Sequence, residues 1–319
     1  MSTRFSRRSF LRHASMAAGA SLLLPPLRGW AEAVHGPHLT LQEFETAAAK
    51  EKIRTTKLRD GIYLLQGVGG NVVCQSGKDG KMLIDCQFSA GARHLTAALN
   101  AIDKQPLRLL INTHWHLDHT NANLEMHKAG ARIIAQEKCR ERLATPQRID
   151  FYDLEVAPLP AAGLPVETFA MAKTVEFNGE KHALEHTPRA HTDTDLFVHF
   201  PEHNVIHTGD LWFNGYYPLI DVGTGGTIGG MIEGVERCIA LANLDTKIVP
   251  GHGELGTLAE LAQYAEMLHK VADRVKSLKQ RGKRLDEVLA MHPTADLDAI
   301  WGKGAINGDA ITMFAYQTL

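Results

Sequence analysis

An apolar strand candidate, Leu107–Asn112, runs straight into Thr113-His114-Trp115-His116-Leu117-Asp118-His119, and no other feature constrains the chain as much. Four groups able to hold a metal fall within six residues. The i,i+2 spacing of His114 and His116 lets two imidazoles converge from one extended turn, while Asp118 and His119 can face a second centre. Imidazole and carboxylate together suit zinc, with iron or manganese as alternatives. A solvated charged loop has no need of three histidines at this density.

Two metals require more donors than one loop supplies. His191 in TPRAHTDTD, Asp210 in HTGD and His252 in PGHG each follow a predicted strand, and two glycines flank His252 and allow close backbone approach. Any one of these read alone is more often a hydrogen-bonding or surface residue. With the first loop they make seven potential ligands on four separated loops.

The rest of the chain reads as strands and helices in alternation. GIYLLQG, NVVCQSG and KMLIDCQ are short apolar runs broken by turn residues and predict successive strands. Helices are predicted over 92–102, 123–129, 136–143 and 227–242, and strands over 107–112, 131–135, 173–177, 181–186, 196–200, 205–207 and 247–249. The apolar positions 258, 261, 262, 265, 268, 272, 275 and 278 follow a 3.6-residue period and predict a long helix over 258–281. A short helix over 285–291 and a closing strand over 311–316 complete the reading. The proline-rich stretch 144–165, with Phe151 and Tyr152, has no clear period and reads as a surface excursion.

The N-terminus carries Arg7-Arg8 before Phe10 and Leu11, a short h-region ended by Pro25 and Pro26, and an A-x-A site at Ala31–Ala33. That order is expected of a twin-arginine-type export signal over residues 1–33, which places the mature chain, 34–319, in the periplasm. The mature part is read as one domain with a C-terminal helical segment and no stable membrane insertion. The whole chain holds 34 basic and 36 acidic residues; without five arginines and one glutamate of the leader, 29 and 35 remain. A formal −6 argues against a nucleic-acid partner. Cys74, Cys86, Cys139 and Cys238 show no C-x-x-C spacing. Cys74 and Cys86 lie on segments that could be neighbouring strands, where export would permit a disulfide, but buried free thiols are the simpler reading.

HWHLDH at 114–119, His191 after HTPRA, the HTGD aspartate at 210 and the PGHG histidine at 252 resemble the ordered motifs of the metallo-β-lactamase superfamily. The resemblance implies an α/β fold, an αββα sandwich of two mixed β-sheets flanked by helices, with the site along one sheet edge. It implies that His114, His116 and His191 bind a first zinc, that Asp118, His119 and His252 bind a second, and that Asp210 bridges them. Two cations about 3.5–4 Å apart acidify a shared water and stabilise the oxyanion formed when it attacks. The resemblance thus implies a hydrolase in which a metal-bridging hydroxide attacks an ester, lactone or amide carbonyl of a small molecule, with Asp118 orienting it and passing on its proton. Weak β-lactamase activity is an implied side reaction.

Position 210 is Asp where the cysteine-ligated lactamases place Cys, and no lysine follows it at the spacing that grips a β-lactam carboxylate. The subgroup most similar is the exported proteobacterial hydrolases linked to quinoprotein and sulfur-oxidation neighbourhoods. A glyoxalase II-like thioesterase, a mononuclear-iron persulfide dioxygenase and an inactive periplasmic binding protein are the alternatives. Trp115 and Leu117 are expected to pack behind the ligand loop, and His186 and His207 to support it. Trp212, Phe213, Tyr216 and Tyr217 either wall the pocket or close the core. By similarity to a tyrosine of related lactonases, Tyr216 or Tyr217 is expected to help polarise a carbonyl, and Tyr217 is read as the second catalytic residue, donating to the developing oxyanion.

Overall fold

The computed structural model describes residues 40–319, so the leader, its twin arginines and the cleavage site lie outside the described residues. Thr40 caps the first helix, α1 (Leu41–Ala48), through a capping box with Glu43. Four strands follow: β1 (Arg54–Arg59), β2 (Ile62–Gln66), β3 (Val72–Gly77) and β4 (Gly80–Ile84). Next come α2 (Ala92–Ile102), β5 (Leu107–Ile111), α3 (Leu117–Thr120), α4 (Asn123–Lys128), β6 (Arg132–Gln136) and α5 (Glu137–Leu143). A small hairpin, β7 (Gln147–Ile149) and β8 (Leu154–Val156), precedes β9 (Glu167–Phe169). The second series runs through β10 (Ala172–Phe177), β11 (Glu180–His186), β12 (Leu196–Phe200), β13 (Val205–His207), α6 (Ile228–Leu241) and β14 (Lys247–Val249). Four helices end the chain: α7 (Leu258–Gln280), α8 (Leu285–Ala290), α9 (Asp298–Trp301) and α10 (Gly308–Thr318).

The strands form a seven-stranded sheet, β1-β2-β3-β4-β5-β6-β9, and a five-stranded sheet, β10-β11-β12-β13-β14. Both are mixed: β4, β5, β6 and β9 run parallel in the first, and β13 pairs parallel with β14 in the second. Alternating side chains build the layers, because successive residues of a strand face opposite sides. Val73, Met82, Ile84, Leu196, Val198 and Phe200 meet in one buried cluster fed by both sheets, the interior of the sandwich. Cys74 and Leu83, one residue out of phase, pack with Leu95, Leu99 and Met126 of α2 and α4 on the outer face of the first sheet. Phe197, Ile206 and Ile248 turn the other way and pack with α6, α7 and α10. Helices therefore cover both outer faces, the αββα arrangement expected. No described helix is long and apolar enough to cross a membrane.

Three departures from the sequence reading have physical reasons. Strand β1 was not anticipated: RTTKLR lies at the sheet edge with its first four residues exposed, so it carries no apolar run. Residues 311–316 are helix, not a closing strand. Asn307 caps Ala310 N–H at 2.8 Å, and the buried Ala310, Ile311, Phe314 and Ala315 recur at helical spacing. The stretch 144–165 is partly ordered into the β7–β8 hairpin, and Phe151 is buried against Phe314 with ring centroids 5.5 Å apart. All four cysteines are buried free thiols, so Cys74 and Cys86 are not bonded to each other.

Candidate metal centre

The loop of residues 112–116 leaves the C-terminal end of β5, between β4 and β6, and is held by Asp85. That residue follows β4 in the left-handed region, φ 65°, a conformation a short polar side chain tolerates. Its Oδ1 accepts Thr113 N–H at 2.8 Å, and its Oδ2 accepts both Thr113 Oγ1–H and His119 Nδ1–H at 2.7 Å. Thr113 Oγ1 lies 3.0 Å from His114 Nδ1. With the threonine proton given to Asp85, that oxygen accepts from His114. Trp115 and Leu117 are buried behind the loop, as their alternation with the ligands predicts.

These contacts set the tautomers, and the tautomers aim the lone pairs. His114 and His119 hold their protons on Nδ1 and present Nε2. His191 gives its Nδ1 proton to the Leu219 carbonyl at 2.7 Å and also presents Nε2. His116 is turned the other way: its Nε2 faces Asp221 Oδ2 at 3.0 Å, leaving Nδ1 only 2.8 Å from His191 Nε2. His114 Nε2 and Asp210 Oδ1 are buried with no hydrogen-bond partner. Orphaned buried donors and acceptors are expensive in a folded protein unless a ligand satisfies them.

Two donor groups result. His114, His116, His191 and Asp210 form one, Asp118, His119 and His252 the other, each with its ligand atoms within 4.8 Å of one another. Asp210 touches both. Its Oδ1 lies 3.1 Å from His119 Nε2, and its Oδ2 lies 3.3 Å from His252 Nε2, 3.4 Å from His191 Nε2 and 3.8 Å from His114 Nε2. All seven expected ligands therefore meet in one place, and their number, chemistry and orphaned atoms fit bound cations. Gly251 makes room for this: a Cβ there would sit 1.9 Å from Asp210 Oδ1.

Charge in the site is unevenly shared. Burial drives His114 well below its ordinary value, and burial with His116 nearby brings His191 down to about 4. Both keep free lone pairs at neutral pH. Burial also opposes charge on His252, but Asp210 and Asp118 outweigh it and hold the ring up at about 9. Against its own burial, Asp118 is held at about 2 by His119 and His252. Protons on the second group thus stand where a cation would, and cation binding displaces them.

The opening lies on that second group. The side chains of Asp118 and His252 are 22% and 24% exposed, whereas His114, His119 and His191 are fully buried. Phe213 stacks on His252 with ring centroids 5.1 Å apart and walls the mouth; Trp212 is buried in the core. Tyr217 is not brought to the donor groups. Its ring is buried in the helical core, and its hydroxyl donates to Asp298 Oδ1 at 2.9 Å. Chain direction after Asp210 explains this, because the segment leaves the site toward α9, where Tyr217 N–H meets the Trp301 carbonyl. His207 supports the turn into Asp210 by accepting Gly209 N–H at 3.0 Å, and His186 Nδ1 binds the Asp195 carbonyl at 2.7 Å.

Sequence reasoning missed Asp85 and Asp221, which orient His119 and His116. Each is a carboxylate closing an apolar run, KMLID and PLID, and a charge in that position is itself a signal.

The family model of the metallo-beta-lactamase superfamily matches residues 65–253. No curated protein matches the chain in sequence. Among solved structures, a metallo-beta-lactamase from Pontibacter korlensis aligns with TM-score 0.58 and 18% identity, over 68% of this chain and 99% of its own. A stereoselective inverting sec-alkylsulfatase from Pseudomonas sp. aligns with TM-score 0.62 and 16% identity, over 86% of this chain and 51% of its own. Identities this low speak to fold alone, but the family match spans more than half of the sequence and encloses every donor of both groups. The chain belongs to the metallo-beta-lactamase superfamily.

Proposed function

We propose that the protein is a metal-dependent hydrolase that cleaves an ester, lactone or amide bond in a small molecule. The observation that carries this reading is the position of Asp210, whose two oxygens approach histidines of both donor groups at 3.1–3.8 Å. Two zinc ions, with iron or manganese as alternatives, would supply Lewis acidity and an acidified water at that point. His114, His116 and His191 hold one ion in this reading, Asp118, His119 and His252 the other, and Asp210 both.

The remaining work falls to side chains. Asp118 is partly exposed at the mouth of the site, so it is placed to orient the attacking water and to take up its proton there. Asp85 and Asp221 keep His119 and His116 in the tautomers that donate inward. Phe213 gives the entering substrate an apolar wall beside His252.

Metal content per chain of the purified protein, followed by turnover of an ester, lactone, amide, thioester and β-lactam panel, tests the reading. Two zinc ions and turnover of the oxygen esters, lactones or amides are expected. One iron per chain with oxygen uptake on a persulfide would replace it with a dioxygenase, and turnover of thioesters alone with a thioesterase.

A further inference from the structure

The histidines of the two donor groups are not held in place in the same way. His114, His116, His119 and His191 each have a ring nitrogen engaged, by Thr113, Asp221, Asp85 and the Leu219 carbonyl respectively. His252 differs. Every close polar contact of its ring is made by Nε2, to Asp118, Asp210 and His119, and its Nδ1 has no hydrogen-bond partner among the described residues. Phe213 stacks on one face of the ring, which fixes its tilt but not its position along the loop. That loop has glycine on both sides of His252, with Gly253 at φ 99°. A ring without a bond on its far nitrogen depends on its backbone for its place.

Asn71, 5% exposed and immediately before β3, grips that backbone. Its Nδ2 donates to the Pro250 carbonyl at 2.9 Å and to the Gly253 carbonyl at 3.0 Å, so the two bonds bracket His252. Its N–H donates to the Gly251 carbonyl at 2.8 Å, and the carbonyl of His252 itself accepts Asn214 N–H at 2.9 Å. Gln66 Nε2 also reaches the Gly253 carbonyl, at 3.2 Å, but Asn71 is the only donor to Pro250 among the described residues. The preceding residue faces the other two ligands. Gly70 N–H donates to the Asp118 carbonyl at 3.1 Å, and a Cβ on Gly70 would sit 2.1 Å from His119 Cε1. Two adjacent residues at the entry to β3 thus touch the carriers of all three members of the second group. We propose that Asn71 is the positioning residue of that group: its side chain fixes His252 against Asp118 and His119 and thereby sets the affinity for the second ion.

A primary amide suits this task, because two N–H bonds diverge from one nitrogen and a single side chain can span two carbonyls. Asp118 and His119 follow β5 of the first sheet, whereas His252 follows β14 of the second. Asn71 therefore spans the sandwich and fixes where the last ligand stands relative to the other two. Ordering the loop beforehand spares the arriving ion that entropic cost. His114, His116 and His191 bond to none of these atoms, so the effect of the side chain falls on the second ion.

The assignment rests on the two-ion reading, and its test separates the two. Asn71→Ala removes both side-chain bonds and keeps the backbone bond to Gly251. Zinc titrated by calorimetry into the metal-free protein should bind at the second site roughly 10- to 100-fold more weakly than in the wild type, with the first ion within about twofold. Thr257→Ala, which weakens the cap of α7, should leave both affinities unchanged and so separates positioning from general destabilisation. Equal second-ion affinity in Asn71→Ala and the wild type overturns the assignment, and so does a loss shared equally by both ions. Should Asn71→Ala fail to accumulate as folded protein, Asn71→Ser is read in the same way. A wild type that binds one zinc overturns the two-ion reading, and hydrogen exchange of the metal-free proteins then decides on Asn71. Faster exchange of the Asn214 amide in the variant keeps Asn71 as the anchor of His252; unchanged exchange removes it.

Discussion

Asp118 and Tyr217 carry opposite expectations at the scale of single residues. Asp118→Ala removes the group proposed to act on the attacking water, so kcat should fall roughly 10²–10⁴-fold with little change in KM. Steady-state kinetics at matched metal content check it, and a kcat near that of the wild type would rule out the role. Tyr217→Phe deletes a hydroxyl committed to Asp298, away from the donor groups. Turnover should stay unchanged, and denaturant titration should show a loss of about 0.5–1.5 kcal/mol, the usual worth of one hydrogen bond. The seven donor residues were legible in the sequence because groups able to hold a metal are chemically rare and four of them are closely spaced. Tyr217 was misread because proximity to Asp210 along the chain carries no information about the direction in which the chain leaves. Asp85 was not singled out for a related reason. A lone carboxylate after an apolar strand reveals its role only when two strands, β4 and β5, lie side by side and bring it under Thr113 and His119.

Among the elements, the long helix α7 was readable and the last helix was not, and length makes the difference. Over the 23 residues from Leu258 to Gln280 the helical period repeats six times, and buried Leu261, Ala265, Leu268, Ala272, Val275 and Leu278 follow it; Ala262, counted on that face, is exposed. Residues 311–316 offer too short a window to separate periods of 2 and 3.6. What decides the matter there is Asn307, four residues earlier, whose side chain starts the helix. Caps therefore contribute stability that can be measured one at a time. Thr257 accepts Glu260 N–H while Glu260 returns a bond to Thr257 N–H at 2.8 Å, a complete capping box on α7. Thr257→Ala should destabilise the protein by about 1 kcal/mol in a urea melt without altering metal content. A loss near zero would mean that α7 is held by its packing on α6 and α10 alone.

For the whole molecule, the sandwich interior carries an acid-sensitive group that belongs to neither donor group. His182 on β11 is fully buried beside Phe200, and burial, reinforced by His203, brings it down to about 4 against the Phe177 backbone contact. Its folded-state value lies below the unfolded value near 6.5, so the unfolded chain takes up the proton first as pH falls. Stability is thus fully present above about pH 6.5 and declines toward pH 4 by up to about 1.4 kcal/mol per unit from this one residue. Denaturant melts from pH 7 to 4 should show a shallower decline for His182→Gln, whatever its baseline, than for the wild type. Parallel curves would sink the idea. The metal centre, by contrast, depends on how far apart its donors lie in the chain. His116 and His191 are separated by 75 residues, and His119 and His252 by 133. That separation imposes an order on synthesis. A chain that has emerged from the ribosome only through its first sheet presents His114, His116, Asp118 and His119 without Asp210 or the remaining histidines. Half a donor set binds by the general affinity order of divalent ions and not by geometry. In the proposed reading, discrimination between metals therefore begins only when Asp210 and the remaining histidines have joined the first four donors, so the ion pool surrounding the folded chain, not the one surrounding the ribosome, decides which metal enters.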